Sequence, residues 1–300
     1  MELKPGAKEG IRDPRNYKLS FVASSVAPID WNKPVILPRP PDTNQHTADD
    51  CVGEGNSKVH WRLEQKQFSV KSLFSNIAFP EPGQGANLAD GPNWICKYGQ
   101  QTLDQLPDPE PKNPINMRDK NGQNPAQALV NREKSYFDTN GTIEQIAQAI
   151  RDFGNVTFGL AIGNTGWEDY TYPNPPSPNA GGEGHCLSGK GYHICKDGQK
   201  CIITDSSFVG AQSGHFEHHI RENYFNSGYI FKNAYILLKR SNMIARYIVQ
   251  KGGKLGVLVS VDGDGIFTDT VFWAKSDAMF EDLKKQYEVP DDAPRIVYPV

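Results

Sequence analysis

Residues 45–65 read QHTADDCVGEGNSKVHWRLEQ and contain no proline. Apolar side chains recur along this stretch at helical spacing: Val52, Val59 and Leu63. Two carboxylates, Asp49 and Asp50, come just before the run, where acidic groups satisfy the free amides of a first helical turn. The pattern therefore predicts a helix that begins at or next to Cys51 and ends near Gln65. A cysteine in that position is placed to become a thiolate, because the helix dipole favours negative charge there.

A catalytic thiolate needs a histidine, a third group that orients the histidine and a donor for the developing oxyanion. His185 lies in a glycine-rich approach to a predicted strand, and Asp205 ends the next one. Gln45 precedes Cys51 closely enough for its amide to share an oxyanion pocket with the Cys51 backbone N–H. We therefore expect Cys51, His185, Asp205 and Gln45 to form a catalytic site, with Ser206 as the nearest alternative to Asp205.

The order and spacing of these residues resemble those of the papain-like (C1-type) cysteine peptidases. The histidine of that family lies roughly 130–150 residues after the cysteine. His185 falls within that range and Asp205 just beyond it. Four further segments are similar to family motifs: 28–31 (PIDW), 68–73 (FSVKSL, similar to the end of the active-site helix), 154–162 (GNVTFGLAI) and 205–208 (DSSF).

The resemblance implies an α+β fold for residues 28–240, in which a helical lobe (about 42–135) faces an antiparallel β-rich lobe (about 136–240) across a cleft. It also implies a cysteine endopeptidase that acts on peptide or protein substrates without a cofactor. Residues 1–27 are expected to form an N-terminal arm. Residues 241–300 are expected to add a β-hairpin and helix that could bind a partner or a second copy of the chain.

The sequence also departs from the family pattern. Residues 48–52 (ADDCV) replace Cys-Gly-Ser-Cys-Trp, and the two carboxylates beside Cys51 oppose formation of a thiolate. Asp205 stands where the family has asparagine, and no pro-segment is evident in residues 1–27. Two alternatives to an endopeptidase stay open at this point. One is a cell-wall peptide amidase of similar geometry, and the other is a non-catalytic assembly module, for example of a viral particle.

Other patterns predict the remaining elements. Residues 142–145 form a capping box before a helix that ends at Gly154, and a short helix is expected near 94–101 within a proline-rich loop region. Strands are expected at 156–162, 185–194, 200–204 and 229–238. Beyond residue 240, the pattern predicts a hairpin of 255–261 with 266–273, followed by a helix at 276–287.

Composition excludes several classes of protein. The 300 residues carry a formal net charge of −3, so no basic field is available to bind nucleic acid. The apolar runs are too short to cross a bilayer, and residues 1–20 lack the apolar stretch of a secretory signal. These features favour a cytoplasmic or virion-associated protein over a classically secreted one.

The five cysteines leave at least one thiol unpaired. Cys195 and Cys201 flank an Asp-Gly turn, across which a disulfide is sterically possible. The scattered histidines and cysteines of residues 185–219 match no usual zinc-ligand spacing, so no metal site is predicted.

Overall fold

The computed structural model describes residues 6–9, 28–133, 135–162, 171–176, 183–207, 217–239, 246–251, 254–263, 266–273, 281 and 295–297. Contacts between Cα atoms divide the chain into two units, Met1–Leu238 and Lys239–Val300. The first unit contains all the residues that the sequence nominates for catalysis.

The helix predicted at Cys51 is confirmed. Helix α1 spans Cys51–Glu64, and it ends because Gln65 adopts a left-handed backbone conformation with φ 55°. Residues 68–73, which the sequence likens to the segment at the end of the active-site helix, lie just beyond it. They lead into a separate helix, α2 (Val70–Ile77), whose first turn is capped by the Ser69 side chain.

Two further helices follow within the loop-rich region. Helix α3 spans Asp90–Tyr98, four residues earlier than the predicted start, and α4 spans Pro125–Leu129. Helix α5 spans Ile143–Phe153. It begins at the predicted capping residue Thr142, whose hydroxyl accepts the Gln145 amide, and it ends at Gly154 in the left-handed conformation.

An antiparallel sheet forms most of the rest of the first unit. Its strands are β4 (Ser135–Asn140), β5 (Val156–Ile162), β6 (Glu183–Ile194), β7 (Lys200–Asp205), β8 (Glu217–Arg221) and β9 (Ile230–Leu238). They are ordered β4-β9-β5-β6-β7-β8, and the short strand β2 (Val35–Ile36) pairs with β6. The four predicted strands are confirmed, whereas β4, β8 and the short helix α6 (Glu222–Asn226) were not predicted.

Two apolar clusters hold this unit together. One packs α5 against the sheet and contains Ile146, Ile150 and Phe158. The other packs α1, α2 and α3 against the opposite side of the strands and contains Cys51 and Cys186. Because Cys51 belongs to the second cluster, the start of α1 lies directly against β6.

A short ladder crosses the start of α1. Strand β1 (Ala7–Lys8) pairs in parallel with β3 (Ala86–Asn87). The rest of the predicted N-terminal arm lies outside the described residues.

The second unit is a four-stranded sheet with the order β12-β11-β10-β13. Its strands are β10 (Arg246–Lys251), β11 (Lys254–Gly263), β12 (Ile266–Trp273) and β13 (Arg295–Val297). The pairing of β11 with β12 confirms the predicted hairpin. The helix predicted at 276–287 lies outside the described residues except for position 281, which is helical. Helices and antiparallel sheets together make the chain an α+β protein. Within its described part, no helix has the length and apolarity needed to traverse a bilayer.

Candidate active site

Cys51 is the first residue of α1, and its side chain is fully buried. Burial is the main reason why the pKa of the Cys51 thiol is raised to about 12, and the neighbouring carboxylates of Asp50 and Asp49 raise it further. Backbone amides of Gly6 and Cys186 donate to the thiol and act in the opposite direction. In this conformation Cys51 is a protonated thiol at neutral pH.

The N-terminal segment Gly6–Glu9 covers Cys51. The Ala86 amide donates to the Gly6 carbonyl at 2.7 Å, and the Leu88 amide donates to the Lys8 carbonyl at 2.8 Å. On the other side, the Ala7 carbonyl lies so close to Gly184 that a Cβ atom there would collide with it. The segment therefore runs between the 85–88 loop and the first residues of β6. Sequence reasoning did not identify this cover, because the segment carries no periodic apolar pattern.

Asp49 holds the 85–88 loop, which lies on one side of the Gly6–Glu9 segment, in place. Arg118 donates to Asp49 through both terminal nitrogens, with distances of 2.7 and 2.5 Å, and the Gly85 amide donates to the same carboxylate at 2.7 Å. The Asp49 charge is therefore compensated by a bidentate guanidinium. This arrangement fixes the Gly85 loop against the start of α1.

Asp50 is also buried, and its pKa is raised well above the ordinary value, chiefly by desolvation and then by the nearby Glu54. Glu54 itself is bound by Lys112 at 2.5 Å, and Lys112 lies 3.3 Å from Asp108. The two carboxylates that the sequence places beside Cys51 therefore differ. Asp49 is paired with Arg118, whereas burial favours the neutral form of Asp50.

His185 lies on β6, immediately before Cys186, and is fully buried. Its Nε2 is 3.1 Å from the Ser206 hydroxyl. Burial lowers the pKa of His185 to about 3, with His218 and Lys58 acting in the same direction, so the ring is neutral at pH 7. Cys186 connects β6 to the start of α1, since its amide reaches the Cys51 thiol and its own thiol packs against Gly55.

Asp205 ends β7, and its carboxylate is buried among basic groups. Arg62 of α1 forms an ion pair with one oxygen, and the Lys190 ammonium lies 3.1 Å from the other. The described contacts thus place Asp205 against Arg62 and Lys190, and the next residue, Ser206, against His185. Sequence spacing alone could not separate these neighbours, because a shift of one residue reverses the direction in which a side chain points.

Gln45 is buried in the turn before α1, and its side-chain amide donates to the Ala48 carbonyl at 3.0 Å. Its backbone amide donates to the Ser207 carbonyl at 2.9 Å. This bond ties the loop before α1 to the loop after β7. The structure therefore links Gln45 to the 206–207 loop, whose Ser206 contacts His185, and it links Cys51 to Cys186, the residue after His185. Phe208, the aromatic residue of the fourth motif, lies outside the described residues.

Several solved structures share this arrangement of helices and sheet. Xylellain, a cysteine protease from Xylella fastidiosa, matches 80% of this chain over 98% of its own length, with a TM-score of 0.62 and 16% identity. The ragweed pollen allergen Amb a 11, a cysteine protease in its proform, matches 73% of this chain over 68% of its own length, with a TM-score of 0.57 and 13% identity. Bromelain from Ananas comosus matches 67% over 94% of its own length, with a TM-score of 0.52 and 13% identity.

Neither a family model nor a curated protein sequence matches the chain. The structural matches show that its first unit has the papain-like α+β fold, and they confirm for the fold the resemblance found in the sequence. In the described conformation the Cys51 thiol is covered and protonated, and the His185 ring is neutral.

Proposed function

We propose that the chain is a cysteine endopeptidase whose nucleophile is Cys51. The observation that carries the proposal is the position of this cysteine at the start of α1, against the His185–Cys186 step of β6, in a fold shared with cysteine proteases. A helix N-terminus favours a thiolate once the thiol is solvated. Peptide hydrolysis is therefore the chemistry that this site supports best.

In the proposed mechanism, His185 takes the Cys51 thiol proton through Nδ1 while Ser206 holds Nε2. The thiolate attacks a peptide carbonyl, and the resulting oxyanion is bound by the Gln45 side-chain amide and the Cys51 backbone N–H. His185 then gives the proton to the leaving amine, and a thioester remains on Cys51. Water hydrolyses the thioester with His185 as general base, which regenerates the thiol.

For the group that orients the His185 ring, our proposal differs from the sequence-based hypothesis. The sequence nominated Asp205 for that role. The Ser206 hydroxyl lies at hydrogen-bonding distance from His185, whereas Asp205 contacts Arg62 and Lys190. We therefore assign orientation of the imidazole to Ser206 and assign to Asp205 the anchoring of β7 against α1.

The ladder of Gly6–Glu9 with the 85–88 loop indicates how a substrate would bind. An extended peptide gains affinity from main-chain hydrogen bonds to an exposed edge, and the Gly6 and Lys8 carbonyls already use such bonds. A substrate needs the same edge beside Cys51. We therefore propose that the segment must leave the cleft before hydrolysis begins.

A non-catalytic module is the second candidate, and the burial of Cys51 favours it. A thiol with a pKa of about 12 and an imidazole with a pKa of about 3 form no thiolate–imidazolium pair at neutral pH. If Gly6–Glu9 never leaves the cleft, the papain-like unit serves as a binding or assembly part.

A peptidyl epoxide distinguishes the two candidates, since bromelain has been solved with the E64 inhibitor in a related fold. We expect the protein to gain one inhibitor mass on the peptide that contains Cys51, and Cys51→Ala to lose both labelling and peptide hydrolysis. Cys96→Ala is the matched control, because Cys96 is also a buried cysteine outside the disulfide, and it lies in the last turn of α3. Hydrolysis that persists in Cys51→Ala would exclude the proposed nucleophile.

The function of the second unit stays a prediction. Residues 241–300 were expected to bind a partner or a second copy, and we retain that proposal without assigning residues to it.

A further inference from the structure

A second group of titratable side chains lies at the other end of β6, outside the cleft. His193 is near the end of β6 and Cys195 follows it, while Cys201 is on β7 and His219 on β8. In the strand register, His193 lies opposite Cys201, and Ile203 lies opposite His219. Directly opposed residues, and residues two apart on one strand, share a face of the sheet. The four side chains therefore point to one side.

The distances within this group are short. His193 Nε2 lies 2.9 Å from His219 Nδ1, and the Cys195 sulfur lies 3.6 Å from His193 Nε2. All three ligand atoms are within 4.8 Å of one another. Cys195 and Cys201 are joined by a disulfide, which decides the question that the sequence left open.

Glu217 holds the His219 ring from the side away from His193. One of its carboxylate oxygens lies 2.9 Å from His219 Nε2, and the other accepts the Lys190 ammonium at 2.5 Å. A carboxylate that accepts a hydrogen bond from one ring nitrogen of a histidine fixes the ring and the tautomer, so that the other nitrogen presents its lone pair. In His219 the nitrogen bound to Glu217 is Nε2, and the other nitrogen, Nδ1, faces His193 and Cys195.

We propose that His193, Cys195 and His219 bind a zinc ion when the Cys195–Cys201 bridge is reduced, with the Cys201 thiolate as fourth ligand. A tetrahedral zinc site with Zn–N of about 2.0 Å and Zn–S of about 2.3 Å spaces its ligand atoms by roughly 3.3–3.8 Å. The 2.9 Å and 3.6 Å separations need changes of a few tenths of an ångström to reach that geometry, and the two sulfurs move apart from bonding distance to about 3.8 Å once the bridge is reduced. The disulfide and the zinc ion exclude each other, because a disulfide sulfur is no longer a thiolate.

A phosphine can reduce the Cys195–Cys201 disulfide. The phosphine gives two electrons to the disulfide and becomes a phosphine oxide, and water supplies the oxygen atom and the two protons of the new thiols. Zinc binding then releases two protons as Cys195 and Cys201 become thiolates, and the imidazoles bind in their neutral form. The two imidazoles cease to share a hydrogen bond, since the ion occupies the space between them.

Native mass spectrometry of the full chain tests the proposal. With zinc added in excess and then removed by gel filtration, the reduced protein should retain one zinc ion and the oxidised protein none. Cobalt added in place of zinc should give the thiolate charge-transfer and tetrahedral d–d bands. Cys201→Ser frees Cys195 permanently and leaves water to fill the fourth position, so this variant should retain one ion without any reductant. His219→Gln should lose retention, and Glu217→Gln should weaken affinity by about 10-fold.

Two controls keep the result specific. His46→Gln removes another histidine that pairs with a glutamate, His46 Nε2 to Glu110 Oε2 at 2.9 Å, and should leave zinc retention unchanged. Cys51→Ala removes the cleft thiol and should also leave retention unchanged. Zinc that is lost with Cys51, or a Cys201→Ser variant that is folded by circular dichroism yet retains no ion, would overturn the proposal.

Discussion

Strand β6 carries one histidine near each end, and the two ends are controlled in different ways. His185 is fully buried beside Ser206, under the cover of the N-terminal segment. His193 is half-buried and shares a hydrogen bond with His219, close to a disulfide. The pKa of each ring is lowered mainly by burial, yet the neighbours of the two rings differ. We propose that reactivity at the first end depends on movement of a covering segment, and at the second on the redox state of two thiols.

The two ends of β6 thus hold their side chains in two different unreactive forms. At the Cys51 end, desolvation keeps the Cys51 thiol and the His185 ring neutral. At the His193 end, two histidines lie beside two cysteines, and the covalent bond between the cysteines removes both thiols. Experiments that uncover the first end should leave the second unchanged.

Deletion of residues 1–9 should give the largest effect. Without Gly6–Glu9, water reaches Cys51 and its pKa should fall from about 12 towards the ordinary value of a free cysteine. The thiolate fraction at pH 7 then rises by up to about 10³-fold. We expect the rate of Cys51 carboxymethylation to rise accordingly, as measured by mass spectrometry of the Cys51 peptide over time.

Deletion of residues 1–5 alone is the matched control, because it leaves the Gly6 contacts in place. It should label as slowly as the parent chain. Equal labelling rates for all three proteins would show that the segment does not control access to Cys51.

Gln45→Ala should lower turnover of a peptide substrate by roughly 10²-fold with little change in KM, because an oxyanion donor acts on the transition state. The measurement is made on the chain without residues 1–9, where the cleft is open. Gln65→Ala serves as control, since Gln65 also donates to a nearby helix carbonyl, that of Arg62 at 3.1 Å. A rise in KM at constant turnover would make Gln45 a substrate contact instead.

The sequence predicted the elements whose patterns are local. The helix at Cys51, the capped helix α5 and the four central strands carry their own periodic or capping signals. Strand β4 (SYFDTN) was not predicted, because it pairs with β9 about a hundred residues later and alternates only weakly. Non-local pairing of this kind leaves little trace in a single segment.

The sequence was less informative about the site. The spacing nominated Cys51, His185 and Gln45, and their assembly into a catalytic site stays a prediction. The sequence could not show that Arg118 compensates the charge of Asp49, since the two residues are brought together only by the fold. Nor could it show that Gly6 reaches the Cys51 thiol, because a short polar arm has no pattern that indicates where it binds.

Ser206→Ala and Asp205→Asn should have different effects and so separate orientation from anchoring. Ser206→Ala should lower turnover by about 10-fold and alter its pH profile, because the imidazole loses the partner of Nε2. Asp205→Asn should instead lower the free energy of unfolding by about 3–5 kcal/mol, because Arg62 and Lys190 lose a buried counter-charge. Denaturant unfolding and pH–rate profiles of both variants check this. An altered pH profile in Asp205→Asn alone would restore the role that the sequence suggested for Asp205.

The smallest expected effect concerns the acid side of the stability profile. His185 has a folded-state pKa of about 3, against an ordinary value of 6.5. As the pH falls from 6.5 to 3, the unfolded chain binds a proton at this ring and the folded chain does not, so the free energy of unfolding decreases. Below pH 3 both states are protonated and the contribution is fully lost.

His185→Gln removes this titration while it keeps a polar side chain near Ser206. The variant starts from a lower stability at pH 7, so the quantity to compare is the slope of the unfolding free energy against pH. Between pH 6 and 4 that slope should be smaller than in the parent by up to about 1.4 kcal/mol per pH unit, the value for one proton. Urea unfolding at several pH values gives the slope, and His46→Gln provides the matched comparison at a partly exposed histidine. Parallel slopes for parent and His185→Gln would mean that solvent reaches the ring, and that the cleft is open in solution.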